Sequence, residues 1–299
     1  MPLDALAMVL VAAVLHASWN FWVKKAQVHP LAFSLLCSVV STLVYAPFVW
    51  WFFKETGLGI SGQGWWWIAA SCVVHNLYFF VLQTGYARSD LSIVYPLARG
   101  TGPLLSATGA IIFLGEQPTL YSMLGLLLVV FGTFTIAGGV ALLDRNKVHS
   151  PKVKAGLLWG MMTGACIATY TLLDGYAVKY LLIAPLVFDW ICAPVRGAML
   201  LPIVLQQRVD LKLAWKQSWP YVMGVGMVSP LGYILVLTAM QKAPISHVAP
   251  AREVSMLVAA FLGAKLLKEG ELKRRLLGAA LIALGGGGFG EWLLNLGNP

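Results

Sequence analysis

The chain has 299 residues, 59% hydrophobic and only 11% charged, with mean hydropathy +0.77 and a formal net charge of +9. Soluble domains average about 25% charged residues and cannot hide so much apolar surface in one core, which leaves a polytopic membrane protein. The cations fall in short loops between apolar runs, where they set membrane orientation rather than mark a nucleic-acid surface.

A helix needs about 20 apolar residues to cross the hydrocarbon layer. Taken along the chain, that length predicts ten spans at roughly 3–23, 31–53, 65–87, 91–114, 120–143, 155–177, 183–205, 218–240, 246–268 and 273–294. The first span follows neither a charged leader nor a cleavage site and is expected to be retained. The main polar interruption, Asp144 to Lys154, predicts a first five-helix repeat over 1–144, a polar linker over 145–154 and a second five-helix repeat over 155–299. Helices are expected throughout because lipid offers the backbone no hydrogen-bond partner. The four cysteines, Cys37, Cys72, Cys166 and Cys192, lie inside apolar runs without metal-ligand spacing and read as buried reduced thiols.

The halves echo each other. Ser92-Ile-Val-Tyr-Pro96 leads to Arg99 and, 17 residues on, Glu116; Ser246-His-Val-Ala-Pro250 leads to Arg252 and, 17 residues on, Glu269. The two prolines are out of register by one position. A shift of 154 places Asn20 on Asp174 and Lys25 on Lys179. Five spans per repeat make the second copy enter the membrane from the opposite face, an inverted-repeat plan whose site lies around a central cavity near the midplane. Fourteen loop cations fall on one side of the predicted topology and three on the other, which places both termini outside.

These residues resemble the drug/metabolite transporter superfamily, specifically its EamA-type ten-helix members. The likeness is carried by His16-Ala-Ser-Trp-Asn20, Asp90-Leu-Ser-Ile-Val-Tyr-Pro96, Leu114-Gly-Glu116 and Tyr170-Thr-Leu-Leu-Asp-Gly175. It implies an all-α integral membrane protein that moves small organic solutes without ATP, and termini in the cytoplasm, opposite to the loop charges. The small four-helix multidrug relatives carry a glutamate in their first helix; here that helix has His16 and Asn20 instead.

Charged groups within spans are costly and mark partners or wet cavities. Arg99 and Arg252 carry planar forks that match carboxylate, phosphate or phosphonate, with structural ion pairing as the alternative, especially at Arg252 beside Glu253. His16 and Asn20 share a helix face with Trp19 adjoining. Tyr78, Tyr95, Tyr170 and Tyr233 are candidates to stack on a ligand. Together His16, Trp19, Asn20, Tyr78, Tyr95, Arg99, Tyr170, Asp174, Tyr233 and Arg252 form the candidate substrate site; Asp174, Asp189, Glu253 and His16 are candidates for proton coupling. His75 and Gln83 are read as structural, as are Glu116 and Glu269 at span ends. No phosphate-binding glycine loop, nucleotide-hydrolysis domain or metal cluster is written in the sequence, so neither cofactor nor metal is expected. The expectation is a secondary transporter, a probable exporter of an amino-acid-like zwitterion or organic anion, in the cell inner membrane as monomer or homodimer. Uptake of a phosphonate- or sulfonate-type anion is the alternative, with an intramembrane lipid-modifying enzyme or a channel as rivals from other classes. The partners expected are the small-molecule substrate and the lipid bilayer, with no nucleic acid.

Overall fold

The computed structural model describes residues 1–57, 59–137 and 150–256, together with 277, 278, 280–282, 284 and 285. Its helices are α1 (Leu3–Ala26), α2 (Pro30–Thr56), α3 (Gly62–Arg88), α4 (Leu91–Leu114), α5 (Leu120–Ala137), α6 (Pro151–Lys179), α7 (Pro185–Gln206), α8 (Leu211–Lys242) and the short α9 (Ile245–Ala251). Seven of these, α1 to α4 and α6 to α8, are long and apolar enough to cross a membrane. The described residues 277–285 are helical where assigned and belong to the tenth predicted span. Glu269 and the linker residues up to 149 lie outside the described residues. The predicted starts were late at α6 and α8, whose first two turns carry lysines (Lys152, Lys154, Lys212, Lys216) that a hydropathy window rejects but an exposed helix end accepts.

The inverted relation is visible in how counterpart helices meet. On α2 and α7, Trp190 Nε1 donates to Thr42 O at 2.9 Å, while Leu35 packs against Leu200 and Val204. On α4 and α9, Arg99 meets Ser255, while Glu116 meets Ile245 and Ser246. On α5 and the tenth span, a Cβ on Gly125 would lie 2.7 Å from Gly285 O, and one on Gly132 would lie 2.5 Å from Gly278 O. In all three pairs residue numbers rise on one helix as they fall on the other. Counterparts therefore run antiparallel, as repeats inserted from opposite faces must.

Each repeat sends its first helix to the other. α6 packs on α3 and α4, while α1 packs on α8 and touches α9. Lipid supplies no hydrophobic drive between spans, so such contacts depend on close approach at small residues. The Gly156/Gly160/Gly164 stripe on α6 performs that role. Cβ atoms there would collide with Ser89 and Thr101 and press on Leu97, all in or just before α4. The chain thus forms two packed groups, α3–α4–α6 and α1–α8–α9, with α2 and α7 running together beside them.

Candidate functional site

Asp174 on α6 is fully buried and sits where both groups meet. Its carboxylate accepts from the Ser71 hydroxyl of α3 and the Tyr233 hydroxyl of α8. His75, one turn after Ser71, places Nε2 3.6 Å from Asp174 Oδ2. The other ring nitrogen, Nδ1, lies 3.1 Å from Ser71 O, a carbonyl that only accepts, so Nδ1 carries a hydrogen. Nε2 therefore faces the carboxylate, and one proton can reside on either partner. Tyr170 stacks on the imidazole at 4.1 Å between centroids, Tyr233 meets it edge-on at 5.9 Å, and Tyr78 meets Tyr170 edge-on at 5.7 Å. His75 meets side chains of α6 and α8 from α3, and its own side chain keeps 17% exposure.

Nearer the cation-rich end, α9 stops at Ala251 and the chain tightens into i→i−3 hydrogen bonds, Glu253 N to Pro250 O and Ser255 N to Arg252 O. Pro250 has no N–H to continue the α-helical ladder. The tightened turn aims Glu253 across to α4, where its Oε2 lies 3.1 Å from Arg99 Nε; Arg99 Nη2 also donates to Ser255 Oγ at 3.0 Å. Neither Glu253 oxygen accepts a well-aligned hydrogen bond, so attraction of opposite charge holds the contact. Tyr95 lies beside the Arg99 guanidinium at 6.0 Å.

Arg252 differs. It is buried at 6% exposure, its Nε meets no acceptor, and among the described residues no carboxylate lies within ion-pair distance of it. Tyr170, Tyr233, Glu253 and Arg99 are its electrostatic neighbours, and His16 lies in the field of both arginines. Of the two arginines it is Arg99, not Arg252, that takes a carboxylate from outside its own helix among the described residues, in the cross-group pair Arg99–Glu253.

Other candidates sit apart. Trp19 packs with Trp22 and Tyr221 toward the cation-rich end, with His16 edge-on to it at 4.7 Å. Asn20 turns its amide back onto its own helix, donating to His16 O at 2.7 Å. Asp189 on α7 is buried at 8% exposure and feels Arg196 without forming a direct ion pair among the described residues. Sequence reasoning passed over Ser71 and assigned His75 a structural role. Their signal was the spacing Ser71, His75, Tyr78, which places three polar groups on one face of α3.

The two ends of the molecule are unlike. At the cation-poor end Gly115, with φ of +67°, ends α4 in the left-handed region that favours glycine and turns the chain so that Glu116 reaches α9. Glu116 accepts from Ile245 N at 2.7 Å and Ser246 N at 2.9 Å, with Lys179 Nζ at 3.4 Å. Burial pushes its carboxyl up, but the backbone donors of Ser246 and Ile245 and the Lys179 charge outweigh this and hold it below its ordinary value. Lys179 donates to Ala243 O, Gln241 to Val178 O, and Lys242 pairs with Asp4. At the cation-rich end a wide-mouthed cavity of about 320 Å³ is lined by Phe21, Lys24, Lys25, Gln27 and Tyr221.

A model of the EamA-like transporter family matches residues 4–138 and again residues 154–286. No curated protein matches the sequence. Among solved structures, one described as "Crystal structure of protein" superposes with a TM-score of 0.77 at 13% identity, covering 99% of either chain; this is a likeness of fold.

Proposed function

Because the chain belongs to the EamA-like transporter family, a multi-pass membrane transporter family of the drug/metabolite superfamily, we propose that it is a secondary transporter of a small polar metabolite bearing an anionic group. An amino-acid-like zwitterion or an organic anion fits the charges best. One observation supports this most: a buried guanidinium, Arg252, that has Tyr170 and Tyr233 among its electrostatic neighbours and, among the described residues, no carboxylate within ion-pair distance. A buried cation is costly unless neutralised, and a carboxylate arriving in two-point contact would neutralise it. Tyr170 and Tyr233 supply apolar faces for the rest of the ligand, with Tyr78, Tyr95 and His16 nearby.

Alternating access follows from the seams. Three cross-group ties among the described residues at the cation-poor end — Glu116 on α9, Lys179 on Ala243, Gln241 on Val178 — must part for that end to open, and Asp174–Tyr233 and Arg99–Glu253 lie deeper along the same boundary. An incoming anion at Arg252 sets a second negative charge near Glu253, and their repulsion strains the Arg99–Glu253 contact. A proton delivered to the His75–Asp174 pair weakens the carboxylate as an acceptor for Tyr233 and couples opening to the proton gradient. In this reading the transport unit is α3–α4–α6 rocking against α1–α8–α9, in the cell inner membrane and in the direction of export. Uptake of a phosphonate- or sulfonate-type anion is the second reading, favoured by the same free guanidinium.

Counterflow in proteoliposomes, screened over amino acids, organic acids, phosphonates and sulfonates, tests the proposal. Saturable exchange that Asp174→Asn makes insensitive to pH is expected. Unsaturable flux, or exchange with unchanged pH dependence in that variant, would sink the carrier or the proton assignment respectively.

A further inference from the structure

Cys72 on α3 and Cys192 on α7 bring their Sγ atoms to 3.0 Å of each other, at 2% and 5% exposure. Both are free thiols. Two non-bonded carbon atoms settle about 3.5–4.0 Å apart, and sulfur is larger, so this pair is closer than packing alone requires. A disulfide holds its sulfurs at about 2.05 Å, so an approach of roughly 1 Å separates the thiols from a covalent bond. Among the described residues no group of three or more metal ligands forms around the pair. The other cysteines have no sulfur partner: Cys37 turns its thiol to Val222 O at 3.8 Å, and Cys166 stands alone on α6.

The position is informative. Cys72 follows Ser71, which donates to Asp174, and precedes His75 by one turn; Cys192 lies one turn after Asp189. The symmetry-related contact between α8 and α2 has no sulfur pair. There Gly226 nestles against Val40 and Cys37 O, and a Cβ would lie 2.7 Å from the valine. The thiols are therefore a feature of one side of the pseudo-symmetric molecule and not a packing need of the fold.

We propose that Cys72 and Cys192 are an oxidation site that closes to a disulfide in the presence of a peroxide, tying α3 of the first repeat to α7 of the second. One thiol gives up its proton and attacks the O–O bond of hydrogen peroxide, forming S–O as the second oxygen leaves as water. The other sulfur then attacks the sulfenic sulfur, S–S forms, S–O breaks and a second water leaves. Two thiols are oxidised by two electrons, and one peroxide is reduced to two waters. Peroxide is small and uncharged, so it can reach a pair of thiols at 2% and 5% exposure where a larger or charged oxidant would be excluded. The bond would fix the helix carrying Ser71 and His75 against α7, a consequence that rests on the rocking reading above.

The test uses the full chain in lipid nanodiscs, treated with hydrogen peroxide, unfolded in detergent and alkylated with N-ethylmaleimide. Two of the four thiols should escape alkylation, the mass of the chain before alkylation should fall by two hydrogens, and non-reducing peptide mapping should join the Cys72 and Cys192 peptides; dithiothreitol added before alkylation should restore four labelled thiols. Cys72→Ser and Cys192→Ala should each form no bridge, and the variant that keeps the attacking thiol should stop at its sulfenic acid, trapped by dimedone. Four alkylated thiols after peroxide, or a bridge through Cys37 or Cys166, would overturn the proposal. These readouts need no transport, so a failed bond and a failed transporter reading are seen separately.

Discussion

Arg99 and Arg252 occupy matched places in the two repeats and have opposite circumstances. α4 runs unbroken through Arg99, whereas α9 ends at Ala251 and turns, so Glu253 crosses the seam to Arg99 and Arg252 is left, among the described residues, without a carboxylate in ion-pair distance. The difference lies in one slipped proline, Pro96 three residues before Arg99 and Pro250 two before Arg252. A duplicated sequence thus yields one arginine that closes the structure and one available to a ligand. Symmetry supplies the residue type, and local backbone decides its use.

The largest way to break this comparison is Arg99→Met. It strands Glu253, buried at 0% exposure, and should destabilise the protein by about 3–5 kcal/mol in thermal unfolding. Adding Glu253→Gln should recover most of that loss; no recovery would mean that the pair carries little of the stability. Arg252→Met should leave unfolding nearly unchanged while weakening substrate binding about 10- to 100-fold, the worth of a charged hydrogen bond of roughly 1.5–3 kcal/mol. If the stability effects came out in reverse order, the assignment of roles would be exchanged.

A third test moves to the cation-poor end. Glu116 has a depressed carboxyl pKa in the folded state, so its stabilisation is fully present above the ordinary glutamate value of 4.5 and is lost as pH falls through the depressed one. The melting-temperature gap between the native chain and Glu116→Gln should be constant at neutral pH and close as the pH falls below the ordinary glutamate value of 4.5 and through the depressed one. A gap independent of pH would remove the carboxylate from the seal. The smallest effect is expected at the opposite end, where the Lys152–Asp90 pair has both side chains more than half exposed at 59% and 54%. Lys152→Ala should cost no more than about 0.2–1 kcal/mol.

Much of the fold was legible because lipid reduces the vocabulary to apolar lengths and loop charges. Helix ends were misjudged mainly at α6 and α8, where lysines extend the first turn past the hydrocarbon edge. Arg99, Asp174 and Tyr233 stood out in the sequence because a charge or a phenol in a span demands a partner. Which partner each takes was not legible. Asp174 is 103 residues from Ser71 and 59 from Tyr233, and only the crossing of α3, α6 and α8 joins them. His75 was undervalued because its meaning lies in that crossing, and the turn after Pro250 because its neighbours read as an ordinary apolar run.

The exchange of first helices between repeats also bears on how the chain is made. When α1 leaves the ribosome, the surface it will rest on, α8, is still about two hundred residues from synthesis. Until then its inward face must be shielded by lipid, by insertion machinery or by a provisional neighbour. Severing the polypeptide between α5 and α6 would therefore give two pieces that are each incomplete, and assembly would require both in one membrane together.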